Sequence, residues 1–140
     1  MAEPEYPQLP ANAENISARG FNFHAGPFYR LTADPDGMGA RYAFKALEKH
    51  MNSAGTVHGG LLMTFADVAM SRTARLVVGE GPSSTVSFSF DFVGPGRLGD
   101  VIEASVRIRR RTRSVLFQGA ELTAGERLIA LASGVWRIGG

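Results

Sequence analysis

The chain has 140 residues, 44% of them hydrophobic and 20% charged, which suits one domain with a single core. Cysteine is absent, which excludes disulfides, thiolate nucleophiles and Cys-ligated metals. The formal net charge is only +2 despite a pI of about 9.4, so a general polyanion-binding surface is not indicated.

Residues 1–20 carry Pro4, Pro7 and Pro10 among polar residues and read as a flexible N-terminal arm, with a short helix expected near Asn12–Ala18. The arm has no positive stretch followed by an apolar one, so no signal peptide is expected. No later run is long and apolar enough to span a bilayer. The expected setting is cytoplasmic, without membrane contact.

Residues 21–140 read as one domain. Phe28–Thr32 and Gly39–Lys45 are predicted strands, separated by the turn Asp34-Pro35-Asp36-Gly37. Ala40, Tyr42 and Phe44 share one face of the second. A polar loop, Glu48 to Val57, leads to a helix from about Gly59 to Val78. Its apolar residues Leu61, Leu62, Phe65, Val68, Ala69, Ala74, Leu76 and Val77 cover most of the circumference, which predicts a largely buried helix. Gly79, Gly81 and Pro82 end it.

Four more strands are predicted, at Ser84–Val93, Val101–Arg111, Ser114–Thr123 and Arg127–Ile138. In the first of these, alternation puts Val86, Phe88, Phe90 and Phe92 on one face and Thr85, Ser87, Ser89 and Asp91 on the other. Two strands, one helix and four strands do not alternate regularly, so the class is α+β, with one long central helix wrapped by a curved antiparallel sheet.

The chemistry concentrates around the helix. Gly59-Gly60 at its start either lets the helix pack tightly on a strand or bares N–H groups that would polarise a carbonyl oxygen. Asp67 sits among Met63, Phe65, Ala66, Val68, Ala69 and Met70. Burial there would raise its pKa and suit it to act as general base or nucleophile. His58 is either a capping residue or a base, Asn52 either a turn residue or an amide that holds water or a carbonyl. Thr85 is either a surface residue or a hydroxyl that steers water beside Asp67.

His58 and Asp67 are nine residues apart, roughly 14 Å of helical rise and half a turn out of phase. They cannot form one site within a chain. A twofold dimer that sets one helix start against the other helix middle would build two shared sites.

Arg107, Arg109, Arg110, Arg111 and Arg113 form a local cluster. It reads either as a solvated strand end or as a phosphate clamp, reachable at the turn from Arg110 to Arg113. Aromatic residues are not interleaved with it, so nucleic acid is not the expected partner. His24, His50 and His58 show no metal-ligand spacing, and no metal or cofactor is expected.

Asn52-x-x-Gly55-x-x-His58-Gly59-Gly60, followed by Asp67, resembles the signature of the PaaI-type hotdog-fold acyl-CoA thioesterases. The resemblance spans roughly Phe28 to Ile138 and includes the strand order. It implies an acyl-CoA substrate, hydrolysed to a free acid and CoA. Asp67 would activate water or attack the thioester, and the Gly59 N–H would polarise its carbonyl. Asn52 and His58 would position thioester or water, with Gly60 beside them on the substrate and Thr85 near the carboxylate. The basic turn that holds CoA phosphates falls at Arg110, Arg111, Arg113 and Ser114. Homodimers, commonly paired into homotetramers, are the implied assembly. A hotdog hydratase or dehydratase led by His58 and a non-catalytic acyl-CoA-binding module are the alternatives. Phe21, Phe23 and Phe28 are candidates to cover the acyl group.

Overall fold

A computed structural model describes residues 8–79 and 81–139. Its elements are β1 (Glu14–Asn15), α1 (Gly20–Ala25), β2 (Tyr29–Ala33), β3 (Gly39–Lys45), α2 (Gly59–Val78), β4 (Ser83–Phe92), β5 (Val101–Arg111), β6 (Val115–Ala124) and β7 (Arg127–Ile138). The strands form one antiparallel, seven-stranded sheet in the order β1-β2-β3-β5-β6-β7-β4. The sheet is open, with β4 on one edge, and α2 lies against its inner face. This is the α+β hotdog arrangement that the sequence predicts.

Helix α2 starts and stops where its local chemistry dictates. His58 is the N-cap, with extended ψ, and its Nδ1 accepts the Gly60 N–H at 2.9 Å. Gly79 ends the helix at φ +68°, a conformation glycine adopts without strain, and donates its N–H to the Arg75 carbonyl. Leu62, Phe65, Ala66, Ala69, Met70, Thr73 and Ala74 recur at helical spacing on the buried face. They meet Tyr42 and Phe44 of β3, Ile102 and Val106 of β5, Leu116 and Leu122 of β6, and Trp136 of β7. Phe44 and Phe65 pack edge to face at 4.7 Å between ring centres.

Burial of α2 is less complete than its composition predicts. Met63 and Leu76 are exposed, and Leu61, Val77 and Val78 only partly buried. The sheet covers one face of the helix, and α1 and the segment around Ile16 cover part of the rest, where Arg72 Nη2 donates to the Ile16 carbonyl.

Three polar clamps fix the second half of α2 on the sheet. Tyr42 Oη and Thr73 Oγ1 are 3.0 Å apart, Gln118 Nε2 donates to the Met70 carbonyl at 2.9 Å, and Trp136 Nε1 donates to Ser71 Oγ at 3.0 Å. Burial pushes the Tyr42 phenol pKa up, so its proton stays in place. Each clamp gives a buried polar group a partner and specifies the depth of the helix.

The N-terminal region differs from expectation. Residues 12–18 are not helical. Instead Asn15 pairs with Tyr29 in the short β1–β2 ladder, the Ile16 N–H donates to the Phe28 carbonyl, and the Phe28 N–H donates to Ser17 Oγ at 2.8 Å. Pairing with β2 supplies the backbone partners that a short isolated helix cannot. A short helix forms instead further along the chain, at α1 (Gly20–Ala25). Within the polar loop after β3, His50 is buried and fastens α1 from behind: its Nδ1 accepts the Leu47 N–H, and its Nε2 donates to the Ala25 carbonyl at 2.7 Å. Burial holds the His50 pKa below the ordinary histidine value, which keeps this tautomer neutral.

Candidate active site

The helix start leaves one donor free. The first four N–H groups of a helix lack partners inside it. In α2 the Gly60 N–H goes to His58 Nδ1, and the Leu61 and Leu62 N–H groups both go to the His58 carbonyl. Among the described residues, the Gly59 N–H has no acceptor. Its Cα hydrogens face the Phe92 ring, which would lie 2.9 Å from an added Cβ. Gly59 thus offers a bare, dipole-aligned N–H at a half-buried position. His58 is exposed and its Nδ1 is committed to the cap as an acceptor, so in the neutral ring the proton sits on Nε2.

Asp67 meets Thr85 as the sequence reading allows, but by a route that alternation does not anticipate. Thr85 Oγ1 donates to Asp67 Oδ1 at 2.7 Å. Regular alternation would place Thr85 on the outer face, away from Phe88 and Phe90. The β4–β7 ladder breaks between Thr85 and Ser87: Thr85 pairs with Trp136 and Ser87 with Val135, which leaves Val86 as a bulge. The extra residue turns Thr85 to the helix side, the face of the buried Trp136, and leaves Val86 exposed. Asp67 itself is only half-buried, at the β4 edge of the sheet, where Thr85 reaches one of its oxygens. Its Oδ2 has no hydrogen-bond partner among the described residues.

Asn52 is committed to its own loop. Its Oδ1 accepts the Ala54 and Thr56 N–H groups, and its Nδ2 donates to Thr56 Oγ1 at 2.9 Å. This Asx turn shapes the approach to the helix start, and one Nδ2 hydrogen remains for another partner.

The arginine cluster is divided. Arg107 is consumed by the β2–β3 turn: it bonds Asp34 at 2.8 Å and both oxygens of Asp36, which holds the Asp36 carboxyl below the usual range. Arg109 is the extra residue of a second bulge, in the β5–β6 ladder, and its guanidinium lies over Gly119, where a Cβ would be 2.6 Å from Nε. Beyond that bulge Arg110 pairs with Phe117 on the outer face, whereas Arg111 pairs with the buried Leu116. Arg111, Leu116, Trp136 and Thr85 therefore form one row across four strands on the helix side. Arg113 and Ser114 are exposed in the turn that follows, and the Ser114 carbonyl accepts the Ile138 N–H.

Arg137 belongs with this group and is missed by the sequence reading. It pairs with Val115 and Ser84 on the outer face and lines a shallow hollow with Pro82, Ser83 and Ser84. Its only sequence signal is its place in the β7 alternation. Among the described residues no ion pair involves Arg110, Arg111, Arg113 or Arg137. The free arginines thus lie at the end of the sheet that carries Thr85. Also among the described residues, no group of three or more His, Asp or Glu is placed to hold a metal, and no helix is long and apolar enough to cross a membrane.

One long helix packed in one curved antiparallel sheet defines a hotdog protein. The chain belongs to the thioesterase superfamily, whose family model matches residues 54–130, more than half its length. It is 42% identical over 98 residues to "Putative esterase PA0474" of Pseudomonas aeruginosa, a match that covers 69% of this chain and 72% of that one. It is 31% identical over 80 residues to the Homo sapiens "Acyl-coenzyme A thioesterase 13", with 56% of each chain covered. Among solved structures, the PaaI protein from the phenylacetic acid degradation operon of E. coli superposes with a TM-score of 0.74 at 21% identity, over 81% of this chain and 80% of that one. That likeness bears on the fold.

Proposed function

We propose that the protein hydrolyses acyl-CoA thioesters in a twofold dimer, at two sites that each join the helix start of one protomer to Asp67 and Thr85 of the other. The observation that carries this reading is the course of β4. The strand runs from Thr85, bonded to Asp67 at the middle of α2, to Phe92, seated on Gly59 at its start. Its outer edge has no partner strand among the described residues, is ten residues long and free of lysine and proline, and has Val86 and Phe92 exposed beside it. Such an edge is a template for pairing with another strand. Antiparallel pairing of β4 with its own copy inverts its order, so each Phe92–Gly59 end lies against the partner's Thr85–Asp67 end.

In such a site the thioester carbonyl accepts the Gly59 N–H, which stabilises the charge that develops on oxygen. Asp67, oriented by Thr85, takes a proton from water through its free oxygen as the water attacks the carbonyl, or attacks directly and forms an anhydride that water then opens. The C–S bond breaks, the acid leaves, and CoA departs as the thiol. Water is the only co-reactant, so no cofactor is needed. The name of the human relative supports acyl-CoA as the substrate class. A cytoplasmic setting and pairing of dimers into tetramers belong to the same proposal.

The free arginines at the Thr85 end of the sheet are assigned to the CoA phosphates. Replacing Arg110, Arg111 and Arg113 together by Gln is expected to raise KM for an acyl-CoA about tenfold, with less than about a twofold effect on the matching acyl-N-acetylcysteamine thioester, which lacks the nucleotide. Thiol release followed spectroscopically reads both. Equal effects on the two substrates would remove the phosphate assignment, and no thiol release by the wild-type chain from any acyl-CoA would overturn the function.

A further inference from the structure

We infer that His50 is a positioning residue for the reaction: bonds made by its buried ring and by its backbone carbonyl fix the start of α2, and with it the Gly59 N–H. This rests on the thioesterase reading and adds to it a residue that touches no substrate, since His50 is only 2% exposed.

The helix start needs such a support. A donor that stabilises developing charge must be held in place, and a misplacement of about 1 Å can cost about 10²-fold in rate. Gly59 has no side chain by which to be held. Two backbone bonds tie the chain to its surroundings as it enters α2. The Val57 N–H goes to the Gly96 carbonyl at 2.9 Å, and the His58 N–H goes to the His50 carbonyl at 2.8 Å. The second is made by the residue next to Gly59. The bond from the Gly60 N–H to His58 Nδ1 is internal to the helix start and anchors it to nothing else.

His50 is itself firmly held. Its Nδ1 accepts the Leu47 N–H at 3.0 Å, its Nε2 donates to the Ala25 carbonyl at 2.7 Å with the Gly26 carbonyl at 3.2 Å, and the Phe44 ring meets the imidazole edge to face. Each ring nitrogen has a backbone partner, so the ring cannot turn without leaving a buried group unpaired. An apolar side chain of the same size would fill the space and make neither bond.

The support reaches the helix start by two routes. One is the His50 carbonyl. Beyond it Met51 pairs with Val57, and the Asn52 N–H donates to the Thr56 carbonyl at 2.8 Å, so a short ladder carries the setting of His50 to His58. The other is α1, whose last residue is Ala25. Phe21, His24 and Ala25 share a hollow with His58 and Gly60, so the ring's bond to Ala25 holds α1 against the start of α2.

The test measures kcat and KM for one acyl-CoA in full-length His50 variants, alone and combined with Gly59→Pro. His50→Asn keeps an acceptor near the Nδ1 position and is too short to reach the Ala25 carbonyl. It is expected to lower kcat about tenfold and to change KM less than about twofold. His50→Gln carries an amide N–H near the Nε2 position, restores the bond to Ala25 and is expected to recover kcat to about a third of the wild-type value. In the Gly59→Pro chain, which lacks the donor, His50→Asn is expected to cost less than about a further twofold, because nothing is left to position. Equal losses in the two backgrounds, or unchanged kcat in a folded His50→Asn dimer, would overturn the positioning role and leave the thioesterase reading standing. Should the Asn variant not fold, His50→Gln carries the comparison: its loss of about threefold is expected to vanish in the Gly59→Pro chain. Persistence of that loss there, or no loss in either chain, would overturn the role. Absence of thiol release by the wild type would overturn both readings.

Discussion

Asp67→Asn is expected to lower thiol release from an acyl-CoA by about 10²–10⁴-fold, the range for removal of a general base, with the dimer intact by size-exclusion chromatography. The substitution preserves shape and leaves an oxygen that can still accept from Thr85, which donates to Asp67 Oδ1 in the native chain. What it removes is the ability to take a proton or to attack. Asp67 is half-buried, and its other oxygen has no hydrogen-bond partner among the described residues. A purely structural role would show as a lower Tm with kcat retained. Full turnover by the Asn variant would end the assignment.

Gly59→Pro is expected to reduce kcat by about 10²–10³-fold, the usual cost of one oxyanion donor. Proline suits this position. Gly59 is the first residue of α2, where a missing N–H breaks no helical bond and a fixed φ fits. His58 before it has φ −59° and ψ 131°, the extended backbone that precedes proline readily. The variant therefore removes the free N–H while leaving the helix. Gly59→Ala separates this from crowding, since its Cβ meets the same Phe92 ring at 2.9 Å but its N–H remains. The alanine variant is expected to lose less than about tenfold. Equal losses in the two variants would mean that packing on Phe92, rather than the donor, is what Gly59 provides.

Much of the fold is legible in the sequence because its period-two and helical patterns are strong. Tyr42 and Phe44 on β3, and Ile102, Ala104 and Val106 on β5, are buried as their alternation predicts. The N-terminal elements are not legible: α1 spans only six residues and is held by buried His50, a contact between segments distant in sequence. The site is half legible. Glycines at a helix start and a carboxylate in an apolar helix stand out from their surroundings. The face of Thr85 does not, because a bulge at Val86 is decided by pairing with β7 and leaves no mark in the strand's own composition. The same holds for the arginines. Arg107 reads as part of the cluster until the β2–β3 turn brings Asp34 and Asp36 to it, and Arg137 joins only through the β6–β7 ladder. The lesson is that local pattern fixes which residues can do chemistry, and strand register fixes which of them meet.

The central claim is that each site is shared between two chains. Asp67→Ala and Gly59→Pro chains, each inactive alone, can be unfolded together in equal amounts and refolded. Half of the resulting dimers are mixed, and each mixed dimer regains one site with an intact Asp67 and an intact Gly59. Thiol release is then expected to return to roughly a quarter of the wild-type rate. Two inactive variants that stay inactive after mixing, with mixed dimers present, would contradict the shared site.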